Sequence, residues 1–296
     1  MNTKQPTAEQ LRIDEQSADP HSWRAWGPYL SERQWGTVRE DYSADGEAWD
    51  YFPFEQAKSR AYRWGEDGIA GFSDIQQKLC LSVALWNEKD PILKERLFGL
   101  SNGQGNHGED VKELYYYLDA TPSHAYLKML YKYPQTPFPY HQLLEESRVR
   151  DRNEPEYELL DTGVFDNDRY FDVFVEYAKA APDDILMRIT AHNRGSEDAP
   201  LHILPQLWFR NTWSWGYDET RPSMSETETG CIAIEHETLG SYHCYLDGTP
   251  ELLFCDNDTN SRLLFGEATQ GYCKDGFNNA VVNGERQAVN PAEQGT

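Results

Sequence analysis

Apolar and polar positions alternate strictly in several stretches of the chain. Leu79, Leu81, Val83 and Leu85 alternate with Cys80, Ser82, Ala84 and Trp86. Phe171, Val173, Val175 and Tyr177 alternate with Asp172, Phe174 and Glu176, and Ile185, Met187, Ile189 and Ala191 alternate with Leu186, Arg188, Thr190 and His192. Leu201 to Arg210 and Cys231 to His236 behave in the same way. A period of two gives a strand one buried face and one wetter face, the pattern of antiparallel sheets packed as a sandwich. Asn193-Arg194-Gly195 supplies turn chemistry after the third of these runs. Helical signals are few. Asp90-Pro91 ahead of Ile92 to Leu100 predicts a short helix, with Pro91 at its first position and Gly99 near its end. Tyr140 to Asp151, rich in Glu and Arg, predicts a second. Glu251 to Cys255 and Arg262 to Phe265 read as strands around a polar turn. Phe277 to Thr296 reads as a hairpin through Asn283-Gly284 followed by a polar tail. No rhythm of strand, helix, strand occurs, so a parallel doubly wound sheet is disfavoured. The expectation is a mainly β chain, with a polar lead-in over residues 1–22 and one antiparallel sandwich domain over 23–296.

Composition sharpens this in three ways. Apolar residues make up 39% of the 296 positions, enough for a core and too many for wholesale disorder. The nine Trp and eighteen Tyr leave two readings open. One is a sandwich core; the other is a carbohydrate platform, because sugar rings offer C–H faces that stack on indoles and phenols. The indoles fall in two groups, Trp23, Trp26, Trp35, Trp49, Trp64 and Trp86, then Trp208, Trp213 and Trp215, which are expected to meet at one aromatic surface. A formal charge of −23 repels phosphate backbones and anionic lipid headgroups, which argues against nucleic-acid and membrane partners and favours a neutral or cationic ligand. Five widely spaced cysteines without a C-x-x-C pair predict buried free thiols, neither a disulfide framework nor a zinc site. Met1 to Pro20 contains no apolar signal core, and no apolar run reaches membrane-spanning length, so a cytoplasmic protein is expected.

Candidate chemistry is sparse. Three acidic doublets, Glu40-Asp41, Glu66-Asp67 and Glu109-Asp110, could grip sugar hydroxyls or act as acid and base. The first two could instead form loop ion pairs with Arg33, Arg39 and Arg63, and with fifty acidic residues in the chain doublets are expected by chance. The string Trp208-Phe209-Arg210-Asn211-Thr212-Trp213-Ser214-Trp215 combines stacking faces with hydrogen-bonding forks, as saccharide recognition requires; equally, Trp208 and Phe209 sit on a strand whose inward side chains fill a core. Asp256-Asn257-Asp258-Thr259-Asn260 with Glu267 approaches a calcium loop, but Ser261 stands where the sharp turn needs glycine, and a polar turn is the better reading. Asn257-Asp258-Thr259 also matches a glycosylation sequon. Histidine pairs at metal-binding spacing, a nucleophile elbow, a P-loop and a dinucleotide fingerprint are all missing, so no metal or cofactor is predicted.

Three strings carry a family resemblance: Trp26 to Ser43 (WGPYLSERQWGTVREDYS), Asp90 to Leu100 (DPILKERLFGL) and Trp208 to Trp215. From about Trp23 to Asn290 the chain resembles the N-terminal region of glucosidase-like proteins allied to glycoside hydrolase family 63. The resemblance implies a galactose-mutarotase-like β-supersandwich, followed in that family by an (α/α)6 barrel that carries a general-acid Asp and a general-base Glu. No helices of barrel length follow here, so no residue of this chain matches either catalytic carboxylate. What carries over is a supporting role beside the barrel, with an oligosaccharide or glucoside as the parent enzyme's substrate. Trp35, Arg39, Glu40, Asp41, Trp64, Glu66, Asp67, Arg210, Asn211, Trp213 and Trp215 are then candidates for substrate-side or barrel-facing contacts. Two other readings stand beside this one, a stand-alone carbohydrate-binding module and a structural or interaction domain.

Overall fold

The computed structural model describes residues 5–19, 22–27, 54–63, 68–97, 113–151 and 153–296. Eleven strands in three antiparallel sheets dominate these residues. The first sheet has the order β1 (Ile69–Ser73), β2 (Leu79–Trp86), β7 (His202–Phe209). The second is a meander of β3 (Leu114–Ala120), β4 (Tyr126–Pro134), β5 (Tyr170–Ala181) and β6 (Asp184–Asn193). The third orders β10 (Gly240–Tyr245), β9 (Cys231–His236), β8 (Ser223–Glu228) and the two-residue β11 (Gln294–Gly295). The expected mainly β antiparallel sandwich is the architecture observed.

One core joins the three sheets. Leu127, Met129, Tyr131 and Tyr133 of β4 and Phe171, Val173, Val175 and Tyr177 of β5 share one face and are buried. They meet Ile69, Phe72, Leu79, Val83 and Leu85 from the first sheet and Met224 and Ile234 from the third. Phe72 stacks on Tyr177 with centroids 4.5 Å apart, and the Tyr177 hydroxyl donates to Ala70 O at 3.0 Å. The buried phenol therefore keeps a hydrogen-bond partner. Trp26 enters the same core, and Lys179 Nζ donates to Trp23 O at 2.6 Å and Trp26 O at 2.5 Å, which ties residues 23–26 to β5.

β2 is buried on both faces. Leu79, Val83 and Leu85 fill the shared core. On the opposite face, Cys80 packs with Trp208 and Tyr62 in a small second cluster, and Ser82 donates to Gln206 Oε1 at 3.2 Å. The register pairs Cys80 with Trp208 and Ser82 with Gln206, which puts these side chains on that outer face.

Four α-helices decorate the sheets among the described residues. Helix α1 (Ala8–Ala18) lies in the polar lead-in and begins at Thr7, whose hydroxyl accepts from Gln10 N. Helix α2 (Tyr140–Val149), foreseen from the sequence, buries Tyr140, Leu143 and Leu144 against Phe138, Tyr157, Leu159 and Val164. The other two overturn expectations. Ser261–Phe265 forms helix α3, capped by the Asn260 side chain and ended by Gly266 at φ +74°, and the 251–255 segment has no ladder partner. Gly276–Val282 forms helix α4, so Asn283-Gly284 ends a helix and turns no hairpin. Glycine with positive φ just beyond a helix satisfies its last carbonyls, and the dipeptide serves that role as well as a hairpin's. The tail past α4 returns as β11 beside β8.

The helix expected from Ile92 onward is also missing over residues 92–97, while 98–100 lie outside the described residues. Leu93, Lys94, Glu95 and Arg96 are all buried, and Lys94 bridges to Leu85 on the edge of β2. Lys94 pairs with Glu113 and the next residue, Glu95, pairs with Lys274. Neighbours that take separate buried partners need an extended backbone, which outweighs the Pro91 helix signal.

Candidate functional site

The outer face of the first sheet is covered by residues 59–63 and by the 256–276 segment, and a cleft of about 380 Å³ opens there. It is lined by Arg60, Arg63, Ser214, Trp215, Asp258, Thr259, Ser261, Phe265, Thr269, Gln270 and Cys273. This volume falls in the range of small-molecule sites.

Residues 60–63 form one wall, and Tyr62 anchors it. Its ring stacks on Trp208 at 4.3 Å, and the Arg96 guanidinium and the Lys274 ammonium lie 4.5 and 4.4 Å from its centroid. Its hydroxyl contacts Glu95 Oε2 at 3.0 Å and Gln206 Oε1 at 3.2 Å. Burial pulls the Lys274 ammonium down from its ordinary pKa, and Glu95 beside it opposes the shift. On either side of this anchor, the largely buried Arg60 and Arg63 line the cleft.

Each arginine backs an aromatic ring. The Arg63 guanidinium lies 3.7 Å from the Trp215 centroid while its Nη1 donates to Asn211 O at 2.6 Å, Asn211 Oδ1 at 3.0 Å and Ser214 Oγ at 2.9 Å. The Arg60 guanidinium lies 5.3 Å from the Phe265 centroid and bonds Gln56 Oε1. Trp215 and Phe265 keep 37% and 49% of their surfaces exposed, so each ring still offers area to a ligand. Tyr217, 75% exposed, meets Trp215 edge-on at 5.6 Å.

Asp258 is the single carboxylate among the described lining residues, and its oxygens are occupied. Oδ1 accepts from Asn211 Nδ2 at 3.0 Å and Trp213 Nε1 at 2.8 Å, and Oδ2 accepts from Arg221 at 2.5 Å. Arg221 also lies 3.7 Å from Asp256, whose carboxyl is pushed up by burial and by Asp258, against the pull of Arg221. Burial raises the Cys273 thiol to about 11, aided by Asp275, so it is protonated and a weak nucleophile at neutral pH. An acid–base pair for glycoside hydrolysis needs two carboxylates, and the described lining holds one that is engaged as a scaffold. Among the described residues no group of three or more His, Cys, Asp or Glu is placed to hold a metal ion.

The sequence-derived candidates divide. Arg210, Asn211, Trp213 and Trp215 sit together at the end of β7 and the turn that follows. Trp215 lines the cleft; Asn211 and Trp213 support it through Asp258; Arg210 N–H donates to Lys78 O in the sheet. Trp35, Arg39, Glu40, Asp41, Trp64, Glu66 and Asp67 lie outside the described residues, as do Trp49, Glu109 and Asp110. Of the remaining indoles, Trp23, Trp26 and Trp208 are core residues. The sequence reading missed Arg60, Tyr62, Phe265 and the inward role of Asp256 to Asn260. That polar run between apolar flanks was the available signal, and taking it for a surface turn hid that Asn257 is 3% exposed. Asn257 Nδ2, the atom a sequon would modify, donates two buried hydrogen bonds, so the folded site excludes glycosylation.

No protein-family profile matches the chain, and no solved structure matches it. It is similar to a Saccharomyces cerevisiae protein named Uncharacterized protein YMR196W, at 44% identity over 327 residues. The match covers 98% of this chain and 30% of the yeast protein, so the chain spans less than a third of the length of that relative. No helix among the described residues is long and apolar enough to cross a membrane.

Proposed function

We propose that this chain is a saccharide-binding β-sandwich that serves as an accessory domain of a glycoside hydrolase and does not itself cleave the glycosidic bond. The observation that carries the proposal is that Trp215 and Phe265, each backed by an arginine, line one cleft together with hydroxyl and amide side chains, an internally bonded Asp258 and a protonated Cys273. Aromatic faces meet the C–H faces of a sugar ring, while Ser214, Thr259, Ser261 and Gln270 are of the type that exchanges hydrogen bonds with its hydroxyls. The net charge of −23 fits a neutral ligand better than an anionic one. A match to 30% of a longer yeast protein is the arrangement an accessory domain has.

Titration calorimetry with maltose, other α-linked glucosides and mannosylglycerate tests binding, and the same panel tests hydrolysis. Wild-type protein is expected to bind at least one of them without hydrolysing any. Trp215→Ala is expected to weaken binding about tenfold or more, the scale of a lost stacking ring, and to lower the unfolding midpoint only modestly, since the ring is partly exposed and its loss removes the contact with Arg63. Hydrolysis by this chain alone would overturn the accessory role, and unaltered binding by Trp215→Ala would remove the cleft as the site.

A further inference from the structure

Asn257 employs both polar atoms of its side chain in the interior. Oδ1 accepts from Tyr62 N–H at 2.7 Å, while Nδ2 donates to Tyr62 O at 2.7 Å and Phe209 O at 2.8 Å. The amide therefore pairs with Tyr62 as a neighbouring strand would, and uses its second N–H to hold the end of β7. The backbone of Asn257 extends the junction. Its carbonyl accepts from Asn211 Nδ2 at 2.6 Å, and its N–H donates to Thr296 Oγ1 at 2.9 Å.

Three separate stretches thus converge on one side chain. Tyr62 lies between Arg60 and Arg63, Phe209 leads by way of Asn211 to Ser214 and Trp215, and Asn257 is followed by Asp258 and Thr259. Each stretch contributes to the cleft, and Asn257 itself does not line it. We infer that Asn257 is a positioning residue that couples the walls of this cleft and sets their spacing from behind, with Thr296 as its brace. This inference rests on the saccharide reading for the ligand alone; the coupling is a property of the unliganded fold.

The variant Asn257→Asp keeps the shape and the acceptor facing Tyr62 N–H, but turns an oxygen towards two carbonyl oxygens. Two readouts separate coupling from plain destabilisation: maltose affinity, and amide exchange without ligand at Tyr62 and at Trp215 to Tyr217 compared with β4 and β5. The two donated hydrogen bonds are lost, and the expected result is an affinity about tenfold weaker or more, with exchange accelerated at Tyr62 and Trp215 to Tyr217 and unchanged in β4 and β5. Thr296→Val, which removes only the bond to Asn257 N–H, is expected to move both readouts the same way by less, and carries the test should Asn257→Asp not fold. Unchanged exchange at Trp215 to Tyr217, or acceleration spread equally through β4 and β5, would overturn the coupling. If wild-type protein binds neither maltose nor any other sugar of the panel, the saccharide reading fails, and the exchange data alone decide whether the walls are coupled.

Discussion

Asp90 shows how a single buried side chain can set a pH dependence. It is 2% exposed, and burial pushes its carboxyl up to about 7, with Lys94 and the Tyr133 hydroxyl (3.2 Å from Oδ2) opposing the rise. An unfolded chain releases this proton near 4, so between about pH 4 and 7 the folded state holds more protons and rising pH weakens the fold. Asp90→Asn, which cannot ionise, is therefore expected to be more stable than wild type near pH 8, by up to a few kcal/mol, and to lose that advantage near pH 4. Urea titrations at the two pH values check it, and an advantage that grew towards acid would refute the assignment. The site residues obey the same logic of burial. Asp258 and Asn211 are spent on internal bonds, whereas Trp215 and Phe265 keep free area, so the exposed rings are the ones available for recognition.

At the scale of elements, α1 and α4 are held by opposite means. No residue of α1 is buried, and the helix docks through Glu9, which accepts from Ser123 N at 2.7 Å and Ser123 Oγ at 2.8 Å. Burial raises the Glu9 carboxyl, but the Ser123 bonds and Arg12 outweigh it and hold it below its ordinary value. Glu9→Ala is expected to speed proteolysis around Asp19 and to lower the global unfolding midpoint only slightly, because Glu15 still accepts from the buried Trp23 indole at 2.6 Å; a midpoint lowered as far as by a core substitution would show Glu9 to be part of the cooperative unit. Helix α4 instead depends on close packing at Gly276. A Cβ there would lie 2.7 Å from Cys255 Sγ and closer still to the backbone oxygen of Ala288, which cannot step aside. Gly276→Ala is expected to cost about 1–3 kcal/mol, the range for overpacking, read as a lower denaturant midpoint at unchanged slope. No change would mean that the 286–288 turn moves freely. Both helices lie in stretches whose local composition is polar or ambiguous, and only α2 buries a clear i, i+3, i+4 set.

For the whole molecule, the three sheets share one core and are expected to melt together. Phe72 is fully buried and stacks between Trp26 and Tyr177, joining the N-terminal segment, the first sheet and the meander. Phe72→Ala is expected to remove about 3–5 kcal/mol and to shift fluorescence and circular dichroism transitions by the same amount. Separate transitions for the two probes would show that the sheets are independent units. Charge acts at this scale too, since a net −23 works against self-association without selecting a fold.

The core-facing positions of β2, β5, β6, β7 and β9 were legible in the chain, because side-chain alternation is a property of the strand itself and needs no partner to appear; the wetter second face expected of β2 is instead buried against Tyr62 and Trp208. The mainly β character followed from the same pattern, and α2 followed from a stretch rich in Glu and Arg. Local signals failed where one motif serves two geometries. Asn283-Gly284 suits a hairpin or a helix end, and the packing of Gly276 on Cys255 and Ala288 decided for the helix. Pro91 opened no helix, because Lys94 and Glu95 each found a separate buried partner. The cleft was the least legible feature. Tyr62 meets Asn257 across 195 positions and Arg63 meets Asn211 across 148, and hydrogen bonds of that reach leave no periodicity for a sequence to display. The chain by itself determined which side chains seek the interior; only the tertiary structure decided which polar ones are satisfied there and which aromatic ones are left facing solvent, because both depend on partners that folding alone brings together.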